Sequence, residues 1–183
     1  MDLQNVLGLI DAAFAGVQRD DECTLHQAQL LDHTLDREVS EEEWREAKQR
    51  DPETDWREVP VASLDECDCA LSHATPKSWL FYMPAYMKHA LELLDSTVWF
   101  SGSVIFHLTY RSQREGLHWY VIERFKQLTP GQEEAVVAFL NYIIAYGSKS
   151  NWHANQCAKS ATEALNSYWA LPSNKRRHGI EVA

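Results

Sequence analysis

One segment with a complete set of helix signals most limits what this chain can fold into. Thr129 stands at an N-cap position, Pro130 suits the first helical position, and Gln132 completes a capping box. The apolar residues that follow repeat at three- and four-residue spacing, as on one face of a helix. The pattern predicts a core helix over residues 130–146 that ends at Gly147. Its apolar face consists of Ala135, Val136, Phe139, Leu140, Ile143 and Ile144.

Helical patterns also cover much of the rest of the chain. Thr24 and Ser40 each precede a Gln or Glu by three residues, which is the capping-box spacing. Pro84, inside a dense apolar run, suits the first position of a helix better than its interior. Further helices are predicted over residues 2–17, 63–73 and 153–169, and the helix that starts at Ser40 ends at Asp51-Pro52.

Two runs rich in β-branched and aromatic residues, 104–110 and 117–125, flank the polar stretch 111–116. This arrangement is typical of two strands joined by a turn, although each run also suits a buried helical turn. The pattern therefore predicts a mainly α fold, with α+β as the variant, in which a small β-hairpin accompanies the helices. One globular domain is expected over residues 1–172, followed by a frayed basic tail over 173–183.

Acidic residues are concentrated in the first two-fifths of the chain. Residues 1–74 hold 19 Asp and Glu against 6 Lys and Arg, whereas residues 75–183 hold 8 against 11. The whole chain has a net charge of −10 at pH 7. A field of this sign attracts basic protein surfaces and repels nucleic acid and anionic membranes. The charge pattern therefore predicts a basic protein partner, with no nucleic acid and no membrane among the ligands.

The N-terminus, the length of the apolar runs and the cysteine spacing lead to expectations about cellular location and metal content. The N-terminus lacks a basic leader, and no run of about 18 apolar residues is long enough to span a bilayer. Cys67, Cys69 and His73 offer three zinc ligands, but a structural zinc site needs a fourth, and these cysteines stand closer together than is usual. We therefore expect a cytoplasmic protein with reduced cysteines, no metal and no cofactor.

Three motifs carry a resemblance to a known family. They are L-x-x-I-x-x-A-F at residues 7–14, F-Y-M-P-A-Y-M at 81–87, and R-F-x-x-L-T-P-x-Q-x-x-A-V-x-x-F-L at 124–140. Together they resemble a family of small bacterial proteins of unknown function, from about Val6 to Tyr146. The resemblance implies no catalytic residue, because the motifs consist of core and capping positions.

The candidate site combines tryptophan with carboxylates. Trp44 and Trp56 each stand among acidic residues, as an interface anchor that faces a basic protein would, although each could instead anchor its segment to the core. The other five tryptophans, Trp79, Trp99, Trp119, Trp152 and Trp169, lie in apolar stretches typical of a core. The predicted partner-binding residues are Asp32, Asp36, Glu42, Trp44, Glu46, Glu53, Asp55 and Trp56.

These features favour an acidic protein-binding domain. Its expected role is that of an immunity-type inhibitor that neutralises a basic bacterial toxin or enzyme, and no catalytic residue is assigned. Two alternatives stay open: a small hydrolase or transferase-type enzyme that uses His26 with Asp32, His33 or other nearby carboxylates, and a non-catalytic adaptor. An enzyme should gather His26 and carboxylates in a pocket, whereas an inhibitor should present a flat or convex acidic face.

Overall fold

The computed structural model describes residues 1–110 and 118–172, in which the chain is mainly helical. None of the helices in these ranges is both long and apolar enough to cross a membrane. The helices are α1 (Leu3–Ala13), α2 (Leu25–His33), α3 (Glu41–Gln49), α4 (Val61–Glu66), α5 (Ala70–His73), α6 (Pro76–Glu92), α7 (Val98–His107), α8 (His118–Phe125), α9 (Pro130–Gly147) and α10 (Trp152–Ala164). A 3₁₀ turn lies at Trp56–Glu58, and a π-helical turn at Leu165–Trp169 extends α10.

The expected β-hairpin is wrong, because no strand occurs among the described residues. The first run lies at the end of α7 and just beyond it, and the second forms α8 from its second residue on, while residues 111–117 lie outside the described part of the chain. Phe100, Val104 and the C-cap residue Leu108 are buried at four-residue spacing, so they continue one buried face along α7 to its end. A buried helix face uses the same apolar residue types as a strand, and this similarity explains the wrong prediction.

The late helix is confirmed as α9. Gln132 N–H donates to Thr129 Oγ1 at 3.3 Å, and Thr129 N–H donates to the Gln132 side chain at 2.9 Å, so both halves of the predicted capping box form. Phe139 and Ile143 are fully buried. α9 packs mainly against α10 and α1, and this packing forms a large part of the hydrophobic core.

α6 begins earlier than the sequence suggested. Pro76 occupies its first turn, and Ser78 N–H donates to Thr75 Oγ1 at 3.1 Å. Pro84 therefore lies inside the helix, and its expected place at a helix start is wrong. Proline cannot donate a backbone hydrogen bond, so an interior proline weakens a helix by itself. The burial of neighbours such as Trp79 and Met83 offsets that cost through packing.

The acid-rich part of the chain is built on α2 and α3. α2 packs against both α3 and α5. Ser40 caps α3 as predicted: Glu43 N–H donates to Ser40 Oγ at 3.3 Å, and Ser40 N–H donates to the Glu43 carboxylate at 3.0 Å. The Gln27 side chain accepts from Thr24 N–H at 2.8 Å at the start of α2. These caps fix where the two helices begin, and hence how α3 presents its carboxylates.

Candidate functional site

Exposed carboxylates without strong ion pairs cover α3 and the loop before it. Only Glu42 among them has a basic side chain within ion-pair range in the described chain, and its oxygen lies 3.9 Å from an Arg45 nitrogen. Leu35, which is 77 % exposed, directly precedes Asp36 in this loop. The carboxylates are Asp36, Glu38, Glu41, Glu42 and Glu46, and together we call them the acidic surface.

The other predicted carboxylates are compensated or partly covered. Asp32 Oδ1 lies 3.1 Å from His73 Nε2. Asp55 accepts from the backbone N–H of Arg57 at 3.0 Å and also pairs with the guanidinium of that residue. Glu53 is only partly exposed. These three side chains therefore offer less free charge to a partner than the acidic surface does.

The two tryptophans singled out in the sequence turn inward. Trp56 is 2 % exposed, and its indole N–H donates to the carbonyl of Phe14 at 2.9 Å. The Arg57 guanidinium lies 4.8 Å from the centre of its ring. Trp44 is partly buried and packs against the core, and its carbonyl accepts from the Gln27 side chain at 2.9 Å. Trp56 thus anchors its segment to α1, and its burial places it out of reach of a partner.

Three other tryptophans are exposed, which corrects their expected place in the core. Trp99 is 71 % exposed, Trp119 59 % and Trp152 66 %. Trp99, Phe106 and Trp152 line an apolar groove of about 690 Å³ between α7 and the start of α10. The Trp99 indole N–H donates to the Asp68 carboxylate at 2.9 Å. Sequence reasoning missed this groove, because an apolar neighbourhood along the chain does not tell which helix face meets the core. The remaining two, Trp79 and Trp169, are buried as expected.

His26 and Asp51 form a buried pair that joins α2 to the end of α3. His26 Nδ1 lies 2.6 Å from Asp51 Oδ1, and the His26 backbone N–H donates to Asp51 Oδ2 at 2.8 Å. The side chains are 5 % and 2 % exposed. The backbone bond satisfies an N–H in the first turn of α2, where no helical carbonyl is within reach. Asp32 and His33, the partners considered from the sequence, contact other residues instead.

A cleft of about 250 Å³ opens beside this pair, between α2 and α3. Among the described residues, the buried His26 Nε2 has no hydrogen-bond partner, and the carboxylate oxygen that lies near it is Glu66 Oε2 at 3.9 Å. That same oxygen is held by the Arg50 guanidinium at 2.6 Å. The cleft is thus bordered by one unsatisfied buried nitrogen and by several charged groups. Its charged and titratable lining residues are His26, His33, Glu43, Glu46, Arg50 and Glu66.

Ion pairing keeps two of the cleft carboxyls ionised. Hydrogen bonds from Arg37 and Ser40 lower the pKa of Glu43 from 4.5 to about 2. The hydrogen bond from Arg50 lowers the pKa of Glu66 below its ordinary value. Both groups therefore stay ionised at neutral pH, each beside the arginine that pairs with it, and Glu46 is the cleft carboxylate that has no such pair among the described residues.

The described residues near the cleft include neither an activated thiol nor a metal-binding cluster. Burial, followed by the charges of Asp51 and Glu66, raises the pKa of the Cys67 thiol to about 12, so Cys67 is a poor nucleophile at neutral pH. Within residues 1–110 and 118–172, no group of three or more His, Cys, Asp or Glu side chains is arranged to hold a metal ion.

Comparison with known proteins identifies the family. Residues 2–173 match the family described as "Family of unknown function (DUF6714)", and the chain belongs to that family. The resemblance to an uncharacterised family is thereby confirmed. No curated protein and no solved structure matches the chain.

Proposed function

For this member of a family without an assigned function, we propose a protein-binding role in which the acidic surface recognises a basic protein. The observation that supports this most is the set of exposed carboxylates on α3 and the preceding loop that have no close ion pair with any described residue. An unpaired carboxylate keeps its full attraction for an approaching cation, and several on one face steer diffusional encounter.

Charge and apolar contact have separate parts in this proposal. Glu42 and Glu46 are four residues apart on α3, so they lie on one face of that helix. They guide the basic partner and pair with its Lys or Arg side chains. Leu35 supplies exposed apolar area in the loop before α3, next to Asp36 in the chain, in the role that Trp56 was expected to fill.

A finer form of the proposal is an immunity-type inhibitor that covers the active region of a basic bacterial toxin or enzyme. A cytoplasmic location belongs to the same finer form. The fold does not identify the partner, so both stay predictions, as do the alternatives of an enzyme that uses His26 and of a non-catalytic adaptor.

Site-specific photo-crosslinking tests the proposal. A photoreactive phenylalanine analogue is placed at Glu42 and, as the matched control, at Glu163, an exposed acidic position on α10. We expect irradiation in cells to join position 42, but not position 163, to a protein of high isoelectric point. An acidic or neutral crosslinked protein, or the same product from both positions, would contradict the proposal.

Association kinetics with the purified crosslinked protein supply the second test. The double variant Glu42→Lys/Glu46→Lys should associate more slowly than the wild type, and the difference should shrink as salt is raised above about 0.15 M, where the Debye length is about 8 Å. Glu163→Lys should associate at the wild-type rate. An association rate that ignores both salt and charge reversal would remove the acidic surface from the mechanism.

A further inference from the structure

We propose that the cleft between α2 and α3 is a socket for a primary ammonium group, namely a lysine side chain of the basic partner. This inference rests on the proposed function, and it names the chemical group that the acidic half takes up. Its basis is the unsatisfied nitrogen of His26, the carboxylates that line the cleft, and the Arg50–Glu66 ion pair at its border.

In the neutral form of the His26 ring, Nε2 is the acceptor, because Nδ1 is the donor. The Asp51 carboxylate can only accept hydrogen bonds, so the Nδ1 atom at 2.6 Å must carry the proton. Neutral imidazole then has its lone pair on Nε2. This atom is buried and has no partner in residues 1–110 and 118–172, and the whole side chain is 5 % exposed. A buried acceptor without a donor is costly, so a donor that enters the cleft gains a bond that the free protein lacks.

The remaining acceptors suit the same group. Glu46 is exposed and unpaired within the described chain, and Glu66 reaches the cleft from the end of α4. An ammonium has three N–H donors, which match two carboxylates and the His26 nitrogen. A guanidinium carries five donors in a rigid planar fork, so it fits a single buried point acceptor less well. The cleft volume of about 250 Å³ admits the end of one long side chain.

Arg50 occupies part of this socket in the free protein. Its guanidinium lies 2.6 Å from Glu66 Oε2, and the two side chains are 52 % and 53 % exposed. A half-exposed ion pair of this kind contributes little to stability because water competes for both groups. A lysine can therefore displace Arg50 from Glu66, since one cation replaces another and the His26 contact is added.

Nuclear magnetic resonance with a single-residue probe tests the socket on the full chain. The probes are Nα-acetyl-lysine amide and its apolar counterpart Nα-acetyl-norleucine amide, and the readout is the ring resonances of His26 in histidine-labelled protein. We expect a saturable shift with the lysine probe and none with the norleucine probe.

Two matched variants decide whether the socket or general acidity is responsible. Glu46→Gln should weaken binding of the lysine probe by about tenfold, because a charged hydrogen bond is lost. Glu58→Gln removes an exposed carboxylate from the acid-rich half of the chain, outside both the cleft and the acidic surface, and should leave the affinity unchanged. Both variants alter exposed residues, so both should fold. Equal weakening by the two variants, or a His26 resonance that does not respond, would overturn the socket.

This test fails separately from the proposed function. If the lysine probe does not bind but a basic protein crosslinks at position 42, the socket is wrong and the acidic surface keeps its role. If the probe binds as expected but no basic protein crosslinks, the socket is supported and the proposed function is wrong.

Discussion

At the residue scale, Gly147 controls how closely α9 and α10 approach. A Cβ atom at this position would lie 2.6 Å from the Cβ of Ala158 and closer still to the backbone carbonyl of Ala154. Backbone cannot rotate away as a flexible side chain does. We therefore expect Gly147→Ala to lower the free energy of unfolding by roughly 3 kcal/mol, at the upper end of the usual cost of overpacking. Urea denaturation measures this change.

Gly8 provides the matched control for this prediction. It is an exposed residue inside α1, and nothing lies within 4 Å of where its Cβ would stand. Alanine has the better helix propensity, so Gly8→Ala should raise the free energy of unfolding by about 0.5–1 kcal/mol. A Gly147→Ala variant as stable as the wild type would show that the two helices are farther apart than described.

The tryptophans give a second prediction at this scale. Trp79 is fully buried, so Trp79→Ala should cost about 3–5 kcal/mol through lost burial and a cavity. Trp99 is 71 % exposed, so Trp99→Ala should cost less than about 1 kcal/mol, even though its bond to Asp68 is lost. Thermal or urea unfolding of the two variants tests the difference. Similar losses in both would mean that Trp99 is not on the surface.

At the element scale, the start of α3 depends on the ionisation of Glu43. Hydrogen bonds from Arg37 and Ser40 lower its pKa from 4.5 to about 2 in the folded state. In the pH range between these values the unfolded chain binds more protons, so stability is lost as the pH falls from about 5 to about 2. We expect Glu43→Gln to reduce this loss in the free energy of unfolding at low pH. Urea unfolding at several pH values measures it. Glu42→Gln removes a 75 % exposed carboxylate without a capping bond, so it should leave the loss of stability at low pH unchanged.

The elements show which structural features local sequence can predict. Thr129 and Ser40 were located correctly, because a capping box involves only residues three apart. Pro84 was misplaced, because the packing that keeps it inside α6 comes from other helices. The run 104–110, which covers the end of α7, was assigned to a strand in preference to a helical turn for the same reason. Apolar residue types indicate that a segment is buried, and burial depends on neighbours that are distant in the chain.

At the scale of the whole molecule, the candidate site was only partly predictable. The charge run located Glu42 and Glu46, since exposure of a dense acidic helix face follows from solvation alone. The His26 contact with Asp51 joins residues 25 positions apart and requires α2 and the end of α3 to be docked together. No spacing rule connects such residues, so the socket became visible only in the fold.

The concentration of acid also predicts how the stability of the whole molecule responds to salt. The chain has a net charge of −10, and the carboxylates of the acidic surface repel one another. Dissolved salt screens this repulsion. The Debye length falls from about 30 Å at 0.01 M to about 8 Å at 0.15 M, so the free energy of unfolding should rise over this range of NaCl. Glu42→Lys/Glu46→Lys should reduce the rise, whereas Glu163→Lys, which lies outside the acid-rich half, should largely keep it.

This last comparison bears on function because it separates two reasons for the acidic surface. If charge reversal at positions 42 and 46 removes much of the salt dependence without loss of stability at low salt, these carboxylates do not serve the fold. Their charge is then free to act in binding a basic partner. A wild-type protein whose stability is indifferent to NaCl would instead show that the acidic surface is already compensated, and the argument from its free charge would fail.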